Sequence, residues 1–79
     1  MSDNTEIRDL GIQPVDGILS EAGIDNHAVV AASSEQLTHK QVQRARKGRM
    51  LTPNMKGKIT RAVISSTGKE LAESDLFTY

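Results

Sequence analysis

The chain has 79 residues, no cysteine and no tryptophan, and its ten basic side chains balance ten acidic ones. A chain of this length forms at most one domain, and the lack of cysteine excludes a disulfide framework, a zinc ribbon and a thiol nucleophile. With two histidines as the only nitrogen ligands, we expect no metal site and no cofactor. The sequence has no apolar run long enough for a membrane span and does not open like a secretory leader, so a cytoplasmic protein is expected.

The charges are strongly segregated along the chain. Residues 1–35 contain seven acids and one base, residues 36–69 contain nine bases and no acid, and residues 70–79 contain three acids. The three segments therefore carry −6, +9 and −3. Ordinary solvated surfaces mix both signs, so a basic block of this length indicates a polyanionic partner. The alternative is that the acidic N-terminal part folds against the basic block and neutralises it.

The first two predicted helices are short. Residues 1–13 are polar and acid-rich, and we expect them to form a flexible lead-in. Pro14 occupies a favoured first helical position, four apolar residues then fall on one helical face, and Gly23 ends the helix. Asp25 or Asn26 caps a second helix of about two turns.

The third predicted helix has the clearest local signals. Thr38 and Gln41 have the spacing of a capping box, and Gly48 follows the helix end. The apolar stripe consists of Val42 and Ala45 alone, so the helix needs neighbours behind it. Its remaining faces are polar and cationic.

A fourth helix begins at Thr52 and Pro53, an N-cap followed by a favoured first residue, and Gly68 lies beyond its end. Gly57 interrupts this helix and is expected to mark a close approach to another helix. Residues 69–79 contain both aromatic residues of the chain and are expected either to dock on the domain or to form a dimer contact.

No segment alternates like a strand, and no Asn-Gly or Asp-Gly hairpin turn occurs, so the chain is predicted to be all-α.

The short second predicted helix, the turn after it and the cationic third helix resemble the λ-repressor-like (Xre/Cro-type) helix-turn-helix family. The resemblance covers residues 27–63. It depends on the order and spacing of Leu37-Thr38, Val42, Ala45, Gly48, Arg49, Thr52-Pro53 and Lys58-Ile59-Thr60-Arg61-Ala62-Val63.

The resemblance implies a small domain of four to five helices over residues 14–68, with a tail at 69–79. It also implies that helix 38–47 lies in the major groove of double-stranded DNA. The family usually has glycine in the turn where this chain has Gln36, and an apolar residue where it has Glu35. These departures predict an earlier end of the preceding helix or a longer turn.

Carried over position by position, the resemblance and the chemistry of base edges give the same candidate base readers. These are His39, Lys40, Gln43 and Arg44. The candidate phosphate-binding residues are Thr38, Arg46, Lys47, Arg49, Thr52 and Lys56. His27, beside the cap of the second helix, is expected to be solvated.

The predicted function is sequence-specific binding of double-stranded DNA by a small transcriptional regulator, as a homodimer associated with the nucleoid. One alternative is a protein-interaction or antitoxin-like adaptor that uses the same scaffold to bind an acidic protein. Non-specific nucleic-acid or RNA binding is disfavoured, because the basic block lacks aromatic residues for base stacking. The sequence contains no nucleophile motif, phosphate-binding glycine loop or catalytic carboxylate pair, so neither an enzyme nor a small-molecule substrate is expected.

Overall fold

The computed structural model describes residues 10–79. Within that range the chain forms five α-helices and no β-strand, which confirms the all-α prediction. The expected lead-in lies outside the described residues over positions 1–9. The helices are α1 (Pro14–Ala22), α2 (Asn26–Ala32), α3 (His39–Lys47), α4 (Pro53–Thr67) and α5 (Glu73–Leu76).

Local capping interactions set the start of three helices. The Asp25 carboxylate accepts a hydrogen bond from the third amide of α2, and Thr52 caps α4. At α3, Thr38 Oγ1 accepts from the Gln41 amide at 3.1 Å, while the Thr38 amide donates to Gln41 Oε1 at 3.0 Å. These bonds satisfy amides that a helix leaves free in its first turn. The predicted capping box is therefore confirmed.

The hydrophobic core is centred on α4 and takes side chains from every helix. Both apolar residues of α3, Val42 and Ala45, are buried, as predicted. Because α3 contributes so little apolar surface, packing against its neighbours stabilises it. The core comprises Val15, Leu19, Val29, Leu37, Val42, Ala45, Ile59, Ala62, Val63, Leu76 and Phe77.

The C-terminal tail docks on the same domain. Leu76 and Phe77 are buried in the core. The Thr78 amide donates to Oε1 of Gln13 at 2.7 Å, and the Thr78 hydroxyl lies 3.0 Å from the same oxygen. Of the two roles expected for residues 69–79, the structure has docking, and the core continues past the predicted domain limit at residue 68.

The chain ahead of α1 crosses the end of α3. The Leu10 amide donates to the carbonyl of Gly48 at 2.8 Å. Gly48 has a φ of 89°, and a Cβ there would overlap the carbonyl group of Gly11. Gly48 is therefore required both by its backbone conformation and by the close passage of residue 11.

The expectation for Gly57 is wrong. The atoms nearest to a Cβ at this position belong to the Arg61 guanidinium, one turn further along α4, at 3.2 Å and beyond. No approach of a second helix accounts for this glycine. Over residues 10–79, none of the helices has the length and apolar character needed to cross a membrane.

Candidate nucleic-acid interface

Helices α2 and α3 are joined through the side chain of Asn26, the first residue of α2. Asn26 Nδ2 donates to Gln43 Oε1 at 2.8 Å, and Asn26 Oδ1 accepts from the Arg46 guanidinium at 2.9 Å. One amide therefore contacts two successive turns of α3 and fixes the helix relative to α2. Gln43 keeps its own amide N–H groups and one oxygen lone pair for other partners.

The first turns of the same two helices meet at a pair of histidines. His27 Nδ1 lies 3.2 Å from His39 Nε2, and the ring planes differ by 23°. The ring centroids are 5.3 Å apart, and this distance is longer than the one between the two nitrogens by nearly two ring radii. The rings therefore meet edge to edge. Such a contact needs one donor and one acceptor nitrogen. Nδ1 is the ring nitrogen of His39 outside this contact.

His27 is a residue that the sequence interpretation missed. It is exposed, as expected, but its ring is engaged by His39. The positions of the two histidines could have indicated this contact, because each lies in the first turn of one of two helices that pack together.

Five of the predicted site residues line one open groove. Lys40, Gln43, Arg44 and Lys47 belong to α3, and Arg49 follows its end. Within residues 10–79, no hydrogen bond or ion pair engages the charged group of any of these four cations. The groove therefore concentrates four positive charges around a single amide side chain.

Arg46 does not belong to this groove, and its predicted phosphate contact is not supported. Its side chain is 16% exposed, and its guanidinium bonds to Asp16 at 2.7 Å, Asn26 at 2.9 Å and Ser20 at 3.3 Å. The reason is its place on α3, four residues after the buried Val42. Helical spacing puts it on the side that faces α1.

Lys56 is likewise committed within the domain rather than to phosphate. Its Nζ donates to the Tyr79 carbonyl at 2.6 Å, lies 3.5 Å from Glu73 and sits 4.3 Å from the centre of the Tyr79 ring. Its side chain is 13% exposed. Lys56 precedes the buried Ile59 by three residues, so it lies on the inner side of α4.

Two predicted phosphate-binding hydroxyls cap helices. Thr38 Oγ1 accepts from the Gln41 amide, and Thr52 Oγ1 accepts from the Met55 amide at 3.2 Å. Both residues are exposed, and each hydroxyl retains its proton for donation. Thr38 directly precedes α3, and Thr52 follows the loop after α3. The groove cations are on that helix and that loop.

The residues that depart from the family pattern contact α4. The Glu35 carboxylate binds both Nε and Nη2 of Arg61, at 2.6 and 2.9 Å, and the Gln36 carbonyl accepts from Lys58 Nζ at 3.1 Å. The hydrogen bonds from Arg61 hold the pKa of the Glu35 carboxyl below its ordinary value. Polar contacts thus fix the turn where an apolar residue and a glycine were expected.

The alternative given for the basic block, neutralisation by the acidic N-terminal part, holds only in part, and one of the paired acids comes from the C-terminal segment. Asp16, Glu35 and Glu73 pair with Arg46, Arg61 and Lys56. Each of these pairs lies outside the groove lined by Lys40 and its neighbours. Intramolecular pairing therefore removes charge elsewhere and leaves the exposed face of α3 cationic.

Tyr79 supports the loop that carries Arg49. Its hydroxyl accepts from the Leu51 amide at 3.1 Å and donates to the Arg49 carbonyl at 3.1 Å. Burial raises the pKa of this hydroxyl. Sequence reasoning gave Tyr79 no role at the site, since nothing local connects it with residues 49–51.

In the described part of the chain, no three His, Cys, Asp or Glu side chains are grouped so that they could hold a metal ion. Comparison with protein-family models, with curated proteins and with solved structures found no match for the chain. The arrangement of the groove is therefore the basis for a functional conclusion.

Proposed function

We propose that this chain is a sequence-specific double-stranded DNA-binding protein of the λ-repressor-like kind, a small transcriptional regulator acting at the nucleoid rather than an enzyme. The supporting observation is the groove of Lys40, Arg44, Lys47 and Arg49, whose cations have no partner in residues 10–79. Phosphates supply the missing counter-charge, and neutralising them contributes much of the affinity of DNA-binding proteins.

The dimensions of α3 suit this role. The helix has nine residues, and an α-helix with its side chains is about 10–12 Å across, which fits the roughly 12 Å width of the major groove. Lys40, Arg44 and Lys47 recur at helical spacing, so one face meets the duplex. Its opposite face carries the buried Val42 and Ala45.

Base reading falls to the residues nearest the start and middle of α3. Arg44 and Lys40 suit the O6 and N7 acceptors of guanine, and Gln43 suits the N6 and N7 positions of adenine. The bond from Asn26 orients the Gln43 amide, and the contact with His27 leaves Nδ1 of His39 for a base or a phosphate.

Phosphate contacts are assigned to Lys47 and Arg49, with the free hydroxyl protons of Thr38 and Thr52. These groups flank the base readers along the helix and the following loop. Arg46 and Lys56 are left out, since both are bonded inside the domain.

We further propose that the protein binds as a homodimer to a two-fold site with half-sites about one helical turn apart. A core as small as this one supports a stability of only a few kcal/mol, so a partner subunit would add to it. The aromatic tail does not supply the dimer contact in this proposal, because Phe77 is buried in its own domain.

The test is selection of bound duplexes from a random library, followed by affinity measurements over a range of salt concentrations. Selected duplexes should share a two-fold sequence, and log K should fall with log salt at about −0.9 per phosphate contacted. Lys47→Ala should weaken binding and flatten this slope by about one contact. Lys69→Ala is the matched control, since Lys69 is exposed and outside the groove.

Equal affinity for selected and random duplexes, or a flat salt dependence, would contradict the proposal. If no duplex is retained and one acidic protein is recovered in stoichiometric amount, the groove belongs to the adaptor function instead.

A further inference from the structure

The most exposed large hydrophobic side chain in the described part of the chain is Ile12, at 74%. A single exposed apolar residue needs no explanation by itself. Ile12 differs from a residue on a free loop in two respects, its anchoring and its position beside α3.

The backbone on both sides of Ile12 is anchored to α3. The Leu10 amide bonds to the Gly48 carbonyl at 2.8 Å, and the Gln13 amide bonds to the Arg46 carbonyl at 3.3 Å. The buried Gln13 side chain also donates to the Gly11 carbonyl at 3.0 Å. Ile12 is therefore held in place at a bend of the chain, with its side chain in solvent.

Ile12 lines a groove together with Gln43 and Lys47 of α3. Gln43 and Lys47 also line the cationic groove, so the two grooves lie on either side of these side chains. The carboxylates on the Ile12 side are already engaged. Asp16 binds Arg46, and Asp25 caps α2.

We infer that Ile12 is a specificity-determining residue that contacts the C5 methyl group of a thymine in the half-site; the inference rests on the proposed function. The thymine methyl is the apolar group that base edges present in the major groove. An adenine read by Gln43 is paired with a thymine, so a methyl group occurs in the base pair that Gln43 contacts. Ile12 and Gln43 then recognise the A·T pair by an apolar contact and a hydrogen-bonded contact.

The test replaces each thymine of the selected half-site, one at a time, by deoxyuridine, which lacks only the methyl group. The unmodified protein should lose about three- to five-fold in affinity at one position, the factor expected for one buried methyl group. Ile12→Ala should bind the thymine and deoxyuridine duplexes equally. Ile12→Val should retain part of the discrimination.

Met50→Ala is the matched control, because Met50 is also exposed but lines a different groove beside Arg44. It should leave the discrimination between thymine and deoxyuridine unchanged. Circular dichroism should show that all three variants retain the helical fold, since neither Ile12 nor Met50 belongs to the buried core.

The outcomes separate the two proposals. If a specific duplex is selected but no thymine position responds to deoxyuridine, the contact with Ile12 is overturned and DNA binding stands. If Ile12→Ala changes the sedimentation of the free protein and not the discrimination, Ile12 belongs to a subunit contact and the inference is overturned. If no specific duplex is selected, DNA binding itself is wrong.

Discussion

Nε of Arg46 lies 2.7 Å from Oδ1 of Asp16 and joins α3 to α1 across 30 residues of sequence. The same guanidinium reaches Asn26 on α2, so one cation of the basic block holds three helices together. This residue fixes the orientation of α3, while Lys47, the next residue in the chain, lies in the cationic groove. Stability and DNA binding are thus assigned to neighbouring positions.

Arg46→Ala should destabilise the fold by about 1.5–3 kcal/mol, because it removes charged hydrogen bonds and leaves Asp16 unpaired. Lys47→Ala should change the free energy of unfolding by less than about 0.5 kcal/mol but weaken duplex binding and lower its salt dependence. Urea unfolding and duplex titration of both variants measure the two effects. Equal loss of stability in the two variants would contradict the assignment.

Arg44 and Arg49 should separate base reading from phosphate binding. Arg44→Ala should relax the base preference at one position, at a cost of about 1–3 kcal/mol. Arg49→Ala should weaken selected and unrelated duplexes by the same factor. Competition titrations with single-base variants of the selected duplex distinguish the two patterns. A loss of base preference in the Arg49 variant would reverse the assignment.

Tyr79→Phe should loosen the loop that follows α3. It removes the hydrogen bonds to the Leu51 amide and the Arg49 carbonyl, each worth about 1 kcal/mol. We expect lower stability together with weaker duplex binding, because the loop positions Arg49. Hydrogen exchange at the Leu51 amide reports directly on the lost bond.

The raised pKa of Tyr79 adds an alkaline prediction. A pKa that is higher in the folded than in the unfolded state stabilises the fold fully below the unfolded value. This contribution is lost as pH rises through the folded value. An absorbance titration should therefore show tyrosine ionising above its ordinary pKa. The Phe variant should lack the corresponding loss of stability.

Glu35 should contribute to stability on the acid side. Its pKa is lowered by the hydrogen bonds from Arg61, so its stabilisation is present above the unfolded pKa and is lost as pH falls through the folded one. Between the unfolded and the folded pKa of Glu35, the melting temperature should fall less steeply with decreasing pH for Glu35→Gln than for the unmodified chain. Because both partners are solvent-accessible, added salt should reduce the difference. Identical pH profiles of the two proteins would show that the Glu35–Arg61 pair does not contribute to stability.

The boundaries of α1 to α4 could be predicted from the sequence, because the groups that determine them are neighbours along the chain. Thr38 and Gln41 are three residues apart, and Gly48 directly follows α3. The two buried positions of α3 followed from helical spacing for the same reason. Such interactions do not depend on how distant elements pack.

The two phosphate assignments that the structure does not support depend on contacts between distant segments. Arg46 meets Asp16, and Lys56 meets Tyr79, only after the helices have packed. Both residues were assigned to phosphate contacts because of their positive charge and their positions in the resemblance. Their helical positions, four after Val42 and three before Ile59, held the information that they face inward.

The contact between Gln13 and Thr78 has a practical consequence for protein engineering. It fastens the segment ahead of α1 to the tail, and the amide of the same Gln13 bonds to the carbonyl of Arg46. A graft of residues 38–47 onto another scaffold would transfer the side chains proposed to read bases without the groups that orient them. Respecifying the target of this protein therefore calls for changes within the complete chain, not for an exchange of the isolated helix.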